Sequence, residues 1–390
     1  MNKYKSLITV IILIIIFTGS ILLITNQKKS APLYVEEQNN TQGRISNDSM
    51  VNDSRQNAIT KTVQLVSPAV VGINVTEIRE YSSPFNPFFN DPFFRQFFGG
   101  NGNWSQKVKE LGSGFIISPD GYIVTNDHVA GNGTDITVTL TNGKEYKAKL
   151  VGTDHSTDIS LLKIDDTNLP HVILGNSNDV LIGEWVIAFG NPFGLFNLND
   201  KPTVTVGVIS STGMNLEQIH KRYYLNMLQT DAAINAGNSG GPLVNSIGEV
   251  IGMNTLIFTG NGTNGNIGLG FAIPINRIKR IITQLKKYGK VNRDFDVGLK
   301  IQAVDKGIAN YYHLQSTRGV IVIQVLSGSP AAKAGIKEGD IILQVDDYLI
   351  NDEDTLIGVF QQYSVGDVLT IKILRDNKII TTKMKLEKTS

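Results

Sequence analysis

Ser239, His128 and Asp158 have the side-chain types and the settings for acyl transfer. Ser239 sits in the run Gly237-Asn238-Ser239-Gly240-Gly241-Pro242-Leu243. A serine that attacks a carbonyl needs an exposed hydroxyl on a sharp turn, with backbone N–H groups aimed at the oxyanion that develops. Flanking glycines permit both, because without a Cβ they reach unusual φ/ψ and let a substrate come close. The N–H groups of Gly237 and Ser239 are the expected oxyanion donors. Ser-Gly-Gly also occurs in ordinary hairpin loops, so the turn alone is weak. The serine needs a base. His128 ends an apolar strand at 122–129, and His155 is its rival. Asp158, just before the apolar run that starts at Ile159, is placed to accept a histidine Nδ1–H and fix its tautomer; Asp127 and Asp231 are rival carboxylates. The order His128, Asp158, Ser239, with gaps of 30 and 81 residues, is one of the chain orders found for such triads.

Composition removes several other chemistries. The 390 residues include no Cys, which excludes disulfides, thiolate zinc sites and a cysteine nucleophile together. The five histidines (128, 155, 171, 220 and 313) have no metal-ligand spacing, so no metal and no other cofactor is expected. Gly260, Gly262 and Gly265 fit a dinucleotide pattern, but the following residues read as loop then strand, where that motif requires a helix. Lys and Arg total 36 against 35 Asp and Glu, with both signs interspersed. A nucleic-acid partner held by its phosphates has no support in that balance.

Positioning these residues falls to a β-rich chain. From about residue 60 the pattern is short β-branched runs punctuated by Gly, Asn, Asp and Pro. Runs 115–118 and 122–125 flank a Pro-Asp-Gly turn, and 136–140 and 146–151 flank Asn142-Gly143, a strong hairpin signal. Further strands are expected at 161–164, 185–189, 204–210, 249–254 and 268–273. Close spacing without interleaved long helices indicates antiparallel barrels and not a parallel sheet. An amphipathic helix follows at 275–288, with apolar residues at 275, 278, 281, 282 and 285. Beyond 292 lies a smaller α+β unit. One short helix opens at Ser329-Pro330 and stops at Gly335; a second spans 352–362; a hairpin over 376–378 closes the unit. The mostly β architecture expected is therefore a double β-barrel at 58–290 and an α+β module at 294–388.

Ahead of them, residues 7–25 are almost uninterruptedly apolar. Nineteen residues in a helix span roughly 28 Å, enough for a bilayer core. No small-residue cleavage site follows, so a retained transmembrane signal anchor is expected in preference to a cleaved signal peptide. Lysines flank both sides and hardly decide orientation. Residues 26–57, rich in Asn, Gln, Ser and charge, read as a flexible linker.

The segments TNDHV (125–129), TDISLLKI (157–164) and TDAAINAGNSGGPL (230–243) together resemble the HtrA family of chymotrypsin-fold serine proteases. The likeness extends through LGSGFIIS (111–118), FGNPFGL (189–195) and GFAIP (270–274), and covers roughly residues 58–388. It implies His128 as general base, Asp158 as its orienter and Ser239 as nucleophile. Ala236 stands where many relatives carry Pro or a basic residue. Arg/Lys-specific relatives of this fold hold an acid six residues before the serine; here that position is Ala233. The strand Asn254-Thr255-Leu256-Ile257 resembles the family's substrate-pairing edge, so Ile234 and Ile257 would line a small apolar S1 pocket; the alternative is that both are core. The run 319–347 resembles a PDZ domain, whose carboxylate loop would be Val297-Gly298-Leu299, receiving a peptide C-terminus while helix 352–362 forms the other groove wall. Seven phenylalanines within 85–98 stand where the family carries its regulatory loop, which would make them a mobile aromatic loop over an active site or against other subunits; the alternative is a local core under a long insertion.

The resemblance implies a membrane-anchored, extracytoplasmic bacterial endopeptidase acting on unfolded or damaged proteins, regulated through one PDZ domain and assembled as a homotrimer. The other reading is a latent or catalytically silent scaffold in which the PDZ module captures C-terminal peptides.

Overall fold

A short helix not anticipated from the sequence opens the folded region. α1 (Ala58–Val66) starts where the Asn57 side chain accepts the Thr60 N–H at 3.0 Å. Thr62 ties it to the carbonyl of Ser246. The computed structural model describes residues 55–79, 106–191, 201–216, 218–235, 237–257, 268–312 and 314–389. The expected anchor 7–25, nearly all of the linker 26–57, the phenylalanine-rich stretch 85–98, the glycines at 260–265, Ala236 and His313 lie outside those residues. Among the described residues no helix is long and apolar enough to cross a membrane.

Six strands close a first barrel in the order β1 (Val70–Arg79), β2 (Gln106–Ile116), β3 (Tyr122–Thr125), β6 (Ile159–Lys163), β5 (Glu145–Asp154) and β4 (Asp135–Leu140). Both expected hairpins form: β2 with β3, and β4 with β5. Alternation along β1 and β4 sends Val71, Ile73, Val75, Ile136 and Val138 into one core. The single-turn helix α2 (Asp127–Ala130) leaves the end of β3 and carries His128.

The second barrel runs β11 (Pro242–Asn245), β8 (Trp185–Gly190), β9 (Thr203–Met214), β10 (Met227–Thr230), β13 (Gly270–Pro274) and β12 (Glu249–Ile257), and β12 pairs back to β11 to close it. The two-residue β7 (Ile173–Leu174) adds to β12 in parallel. Phe115, Ile159 and Leu161 from the first barrel pack with Ile187, Phe189, Met227 and Phe271 from the second in one buried cluster. Helix α3 (Ile275–Tyr288) seals that cluster with Ile275, Ile278, Ile281, Ile282 and Leu285, the apolar face read from the sequence. It ends at Gly289, whose left-handed φ of 73° and N–H bond to Leu285 O form the cap.

After α3 the chain builds a sheet in the order β14 (Leu299–Ala303), β15 (Val320–Val325), β16 (Ile341–Val345), β18 (Val368–Arg375) and β19 (Lys378–Lys385), with β17 (Tyr348–Leu349) paired to β16. Helices α4 (Lys306–Tyr311), α5 (Pro330–Lys333) and α6 (Glu353–Phe360) accompany it. Ser329 caps α5 and Asp352 caps α6. β14 is an edge strand, and Glu353 at the start of α6 accepts the Ala303 N–H from it at 2.7 Å.

Candidate active site

The short 3₁₀ turn 155–157 after β5 ends at Asp158, which takes the left-handed conformation with φ 60° and ψ 42°. That backbone state is uncommon outside glycine, and Asp tolerates it better than most. It carries the carboxylate into the seam between the barrels, where the residue is completely buried. Oδ1 accepts the His128 backbone N–H at 3.0 Å, and the His128 Nδ1 lies 2.8 Å from Oδ2. Oδ2 also accepts from Thr255 Oγ1 at 2.9 Å, Tyr224 OH at 3.1 Å and Asn126 Nδ2 at 3.2 Å. The guanidinium Nε of Arg222 stands 3.3 Å from Oδ1 as an ion pair without hydrogen-bond alignment. Burial pushes the Asp158 carboxyl up, but His128, through charge and hydrogen bonds, and Arg222, through its charge, outweigh it and hold the group below the usual carboxylate range. Tyr224 goes the other way: burial first, then the Asp158 charge, pushes its phenol well up and keeps it a donor.

The Ser239 loop is fastened to the first barrel through Ser113. The Ser113 N–H bonds Ser239 O at 2.9 Å, its hydroxyl donates to Gly237 O, and Ser113 Oγ accepts the Asn191 N–H at 2.7 Å. Gly237 has φ 96° and Gly240 has φ 85°. At Gly240 a Cβ would come within 2.2 Å of Ser113 O, so both conformation and space require glycine there. The N–H groups of Asn238, Gly240 and Gly241 are bonded to Asn235 O, Asn254 O and Asn238 O. Among the described residues those of Gly237 and Ser239 have no partner, which leaves two donors beside the serine side chain. Ser239 Oγ donates to Thr255 O at 3.2 Å.

Two of the rival groups, Asp127 and His155, form a second cluster. Asp127, also buried, accepts from Thr153 Oγ1 at 2.6 Å and Arg222 at 2.8 Å, and lies 2.8 Å from His155 Nδ1. Asp231 is exposed and accepts the Val208 N–H. Thr255, read as part of the substrate strand, turns its hydroxyl to Asp158. Ile234 is buried in the second barrel's core with Ala188 and Leu228. Leu256 and Ile257 follow on β12, and their side chains lie outside the described ones. In the Val297-Gly298-Leu299 loop Gly298 has φ 72°, and its N–H is held by Asp296 Oδ1 at 2.8 Å. Among the described residues no cluster of His, Asp and Glu could hold a metal ion. Sequence reasoning missed Ser113, Asn126, Arg222 and Tyr224. Ser113 and Asn126 lie in motifs already singled out, whereas Arg222 and Tyr224 sit in a loop with no motif.

Residues 112–253 match the trypsin-like peptidase domain family and residues 296–386 the PDZ domain family. A Chlamydia pneumoniae protein named as a probable periplasmic serine endoprotease, DegP-like, is 44% identical over 303 residues, covering 77% of this chain. This chain spans only 60% of that relative's length. A Rickettsia conorii protein of the same name is 39% identical over 391 residues, 97% of this chain and 75% of its own length. The solved HtrA-type protease AlgW with a decapeptide is 35% identical, covers 84% of this chain and 98% of its own, and superposes with a TM-score of 0.59. Fold, motifs and relatives agree that the chain belongs to the HtrA family of trypsin-like serine proteases with a PDZ domain.

Proposed function

We propose that this chain is a serine endopeptidase that cleaves unfolded or damaged proteins outside the cytoplasm, tethered to the membrane by residues 7–25. The observation that carries the reading is the buried carboxylate Asp158 bonded to His128 Nδ1, beside a serine turn with two unengaged N–H groups. With Nδ1–H held by Asp158, the free electron pair of His128 is on Nε2. Nε2 takes the Ser239 proton as Oγ bonds to the scissile carbonyl carbon, and the carbonyl π electrons move onto an oxyanion facing the Gly237 and Ser239 N–H groups. Collapse breaks the C–N bond, and His128 returns the proton to the leaving amine. Water then repeats the sequence on the acyl-enzyme. None of these steps draws on a metal or nucleotide. The periplasmic names of the relatives support the extracytoplasmic side.

The PDZ module is the regulatory part of this reading: an extended C-terminal peptide adds to the edge of β14 in the groove beside α6. A latent enzyme is favoured by two contacts. The Ser239 hydroxyl donates to Thr255 O, a bond it must give up before its proton can pass to His128, and the Gly298 N–H is held by Asp296. The test is cleavage of an unfolded protein by the chain and its Ser239→Ala variant, with and without C-terminal peptides. Cleavage that vanishes in the variant and rises with peptide is the expected result. Folded, peptide-binding protein that cleaves nothing would leave the scaffold reading.

A further inference from the structure

Arg222 touches both carboxylates that compete for the two histidines. Its Nη2 donates to Asp127 Oδ2 at 2.8 Å, and its Nε lies 3.3 Å from Asp158 Oδ1. Only 12% of its side chain is exposed. The ionisable groups facing it are Asp158 from the 3₁₀ turn, Asp127 from α2 and Tyr224 from its own loop, with His155 behind Asp127 and its Nε2 3.0 Å from His220 O. Burial draws the guanidinium down, but Asp158 and Asp127 outweigh it, so the group is a permanent cation. Loop residues His220 and Lys221 both take positive φ, which turns the chain so that Arg222 faces inward.

The two contacts do different things. At Asp127 the bond is aligned and short, and Asp127 is itself fixed by Thr153 and His155. At Asp158 the guanidinium acts through its charge, since its Nε–H makes no aligned hydrogen bond there. Of the other donors to Asp158, Asn126, Tyr224, Thr255 and the His128 backbone are neutral, and the His128 ring is charged only when protonated. Asp158 therefore depends on Arg222 for its fixed countercharge.

We propose that Arg222 is a positioning residue for the general base, anchored by the Asp127–His155 pair so that its charge keeps Asp158 ionised and restrains the basicity of His128. This rests on the triad reading above. A fixed cation near an imidazole disfavours its protonated form. Removing it raises the His128 pKa and frees Asp158 to take a proton at higher pH, and both effects move the acid limb of kcat/KM upward.

The experiment compares full-length wild type, Arg222→Gln and Arg222→Lys for kcat, KM and pH profile. Gln is expected to lower kcat more than tenfold, leave KM within about twofold and raise the acid limb by about one pH unit. Lys keeps the charge but reaches one carboxylate at a time; its limb stays near wild type while kcat falls less. NMR titration of His128 in Ser239→Ala, with and without Arg222→Gln, reads the same shift without turnover. That separates this proposal from the triad reading, whose own failure would be wild type that neither cleaves nor labels Ser239 with a fluorophosphonate. An unchanged limb and an unchanged His128 titration in Arg222→Gln overturn the proposal. If the Gln variant does not fold, Lys decides: wild-type kcat there overturns the bridging role.

Discussion

At the scale of single residues, the site is a buried charge kept ionised by its neighbours, and this sets a pH behaviour. Asp158 has a folded pKa below its ordinary value, so its contribution to stability is full above the unfolded pKa near ~3.9 and is lost as pH falls through the folded one. Imidazolium cannot accept the Ser239 proton, so protonation of His128 switches the proposed site off. Activity should therefore fall as His128 gains its proton with the fold still intact, and acid unfolding linked to Asp158 should begin only below about pH 4. Cleavage rate and near-UV circular dichroism across the same pH series check this; coincident loss of both would defeat the assignment. The serine turn makes a second prediction. Gly240→Ala puts a Cβ against the Ser113 carbonyl at a positive φ, whereas Gly143→Ala, also at positive φ, meets nothing within 4 Å. The first should abolish cleavage and lower Tm by several degrees; the second should cost about 1 kcal/mol and leave cleavage alone. Thermal melts and peptide assays distinguish them. Ser239, His128 and Asp158 were legible because each sits in a patterned setting: a glycine turn, a strand end, the residue before a buried strand. Arg222 and Tyr224 were not, because what matters is a loop folding back on a carboxylate more than sixty residues earlier.

At the scale of elements, the segment 222–225 alternates like a strand and faces two ways. Arg222 and Tyr224 turn to Asp158, while Leu225 and Tyr223 join the core of the PDZ module. Tyr223 lies so close to α6 that a Cβ at Gly358 would come within 2.5 Å of its ring. A second link runs beside it. Arg293 bonds Asp154 with both terminal nitrogens, and its Nε donates to Gln361 O at the end of α6 at 2.6 Å. Asp154 in turn accepts from Thr157, one residue before Asp158. Arg293→Met leaves Asp154 buried without its partner and should cost about 3–5 kcal/mol, whereas the double change with Asp154→Leu should recover much of it. Urea unfolding of the four proteins in the cycle measures the coupling; additive losses would mean the pair is incidental. The barrels' strands and α3 were readable because hairpin turns and a 3.6-residue apolar period are local signals. The helix α1 was not: nine residues capped by Asn57 hold little helical preference alone, and it is packing that keeps them in place.

At the scale of the whole molecule, what remains exposed offers a surface on which the trimer reading can be tested. Leu181, Ile182 and Trp185 are 69%, 67% and 56% exposed, and they follow one another into the first residue of β8. Val206 on the neighbouring β9 is also open. Single exposed apolar residues are ordinary, but four on adjoining segments with a tryptophan among them make a surface suited to another protein. The near-neutral net charge of +1 gives no long-range repulsion between copies. A second copy of the chain is the natural occupant under the trimer reading, where the patch would meet a different surface of the next copy and the same contact would close a ring. Trp185 is half open and Val186 beside it is fully buried, so a charge at 185 spares the barrel while placing an unpaired group in any interface. Trp185→Glu should therefore convert an assembled species to monomer without changing the thermal transition of the barrels by more than about 1 kcal/mol. Sedimentation velocity of the detergent-solubilised chain, with and without the substitution, reads the outcome directly. A trimer in both would move the interface elsewhere, and a monomer in both would remove the trimer from this chain's function altogether.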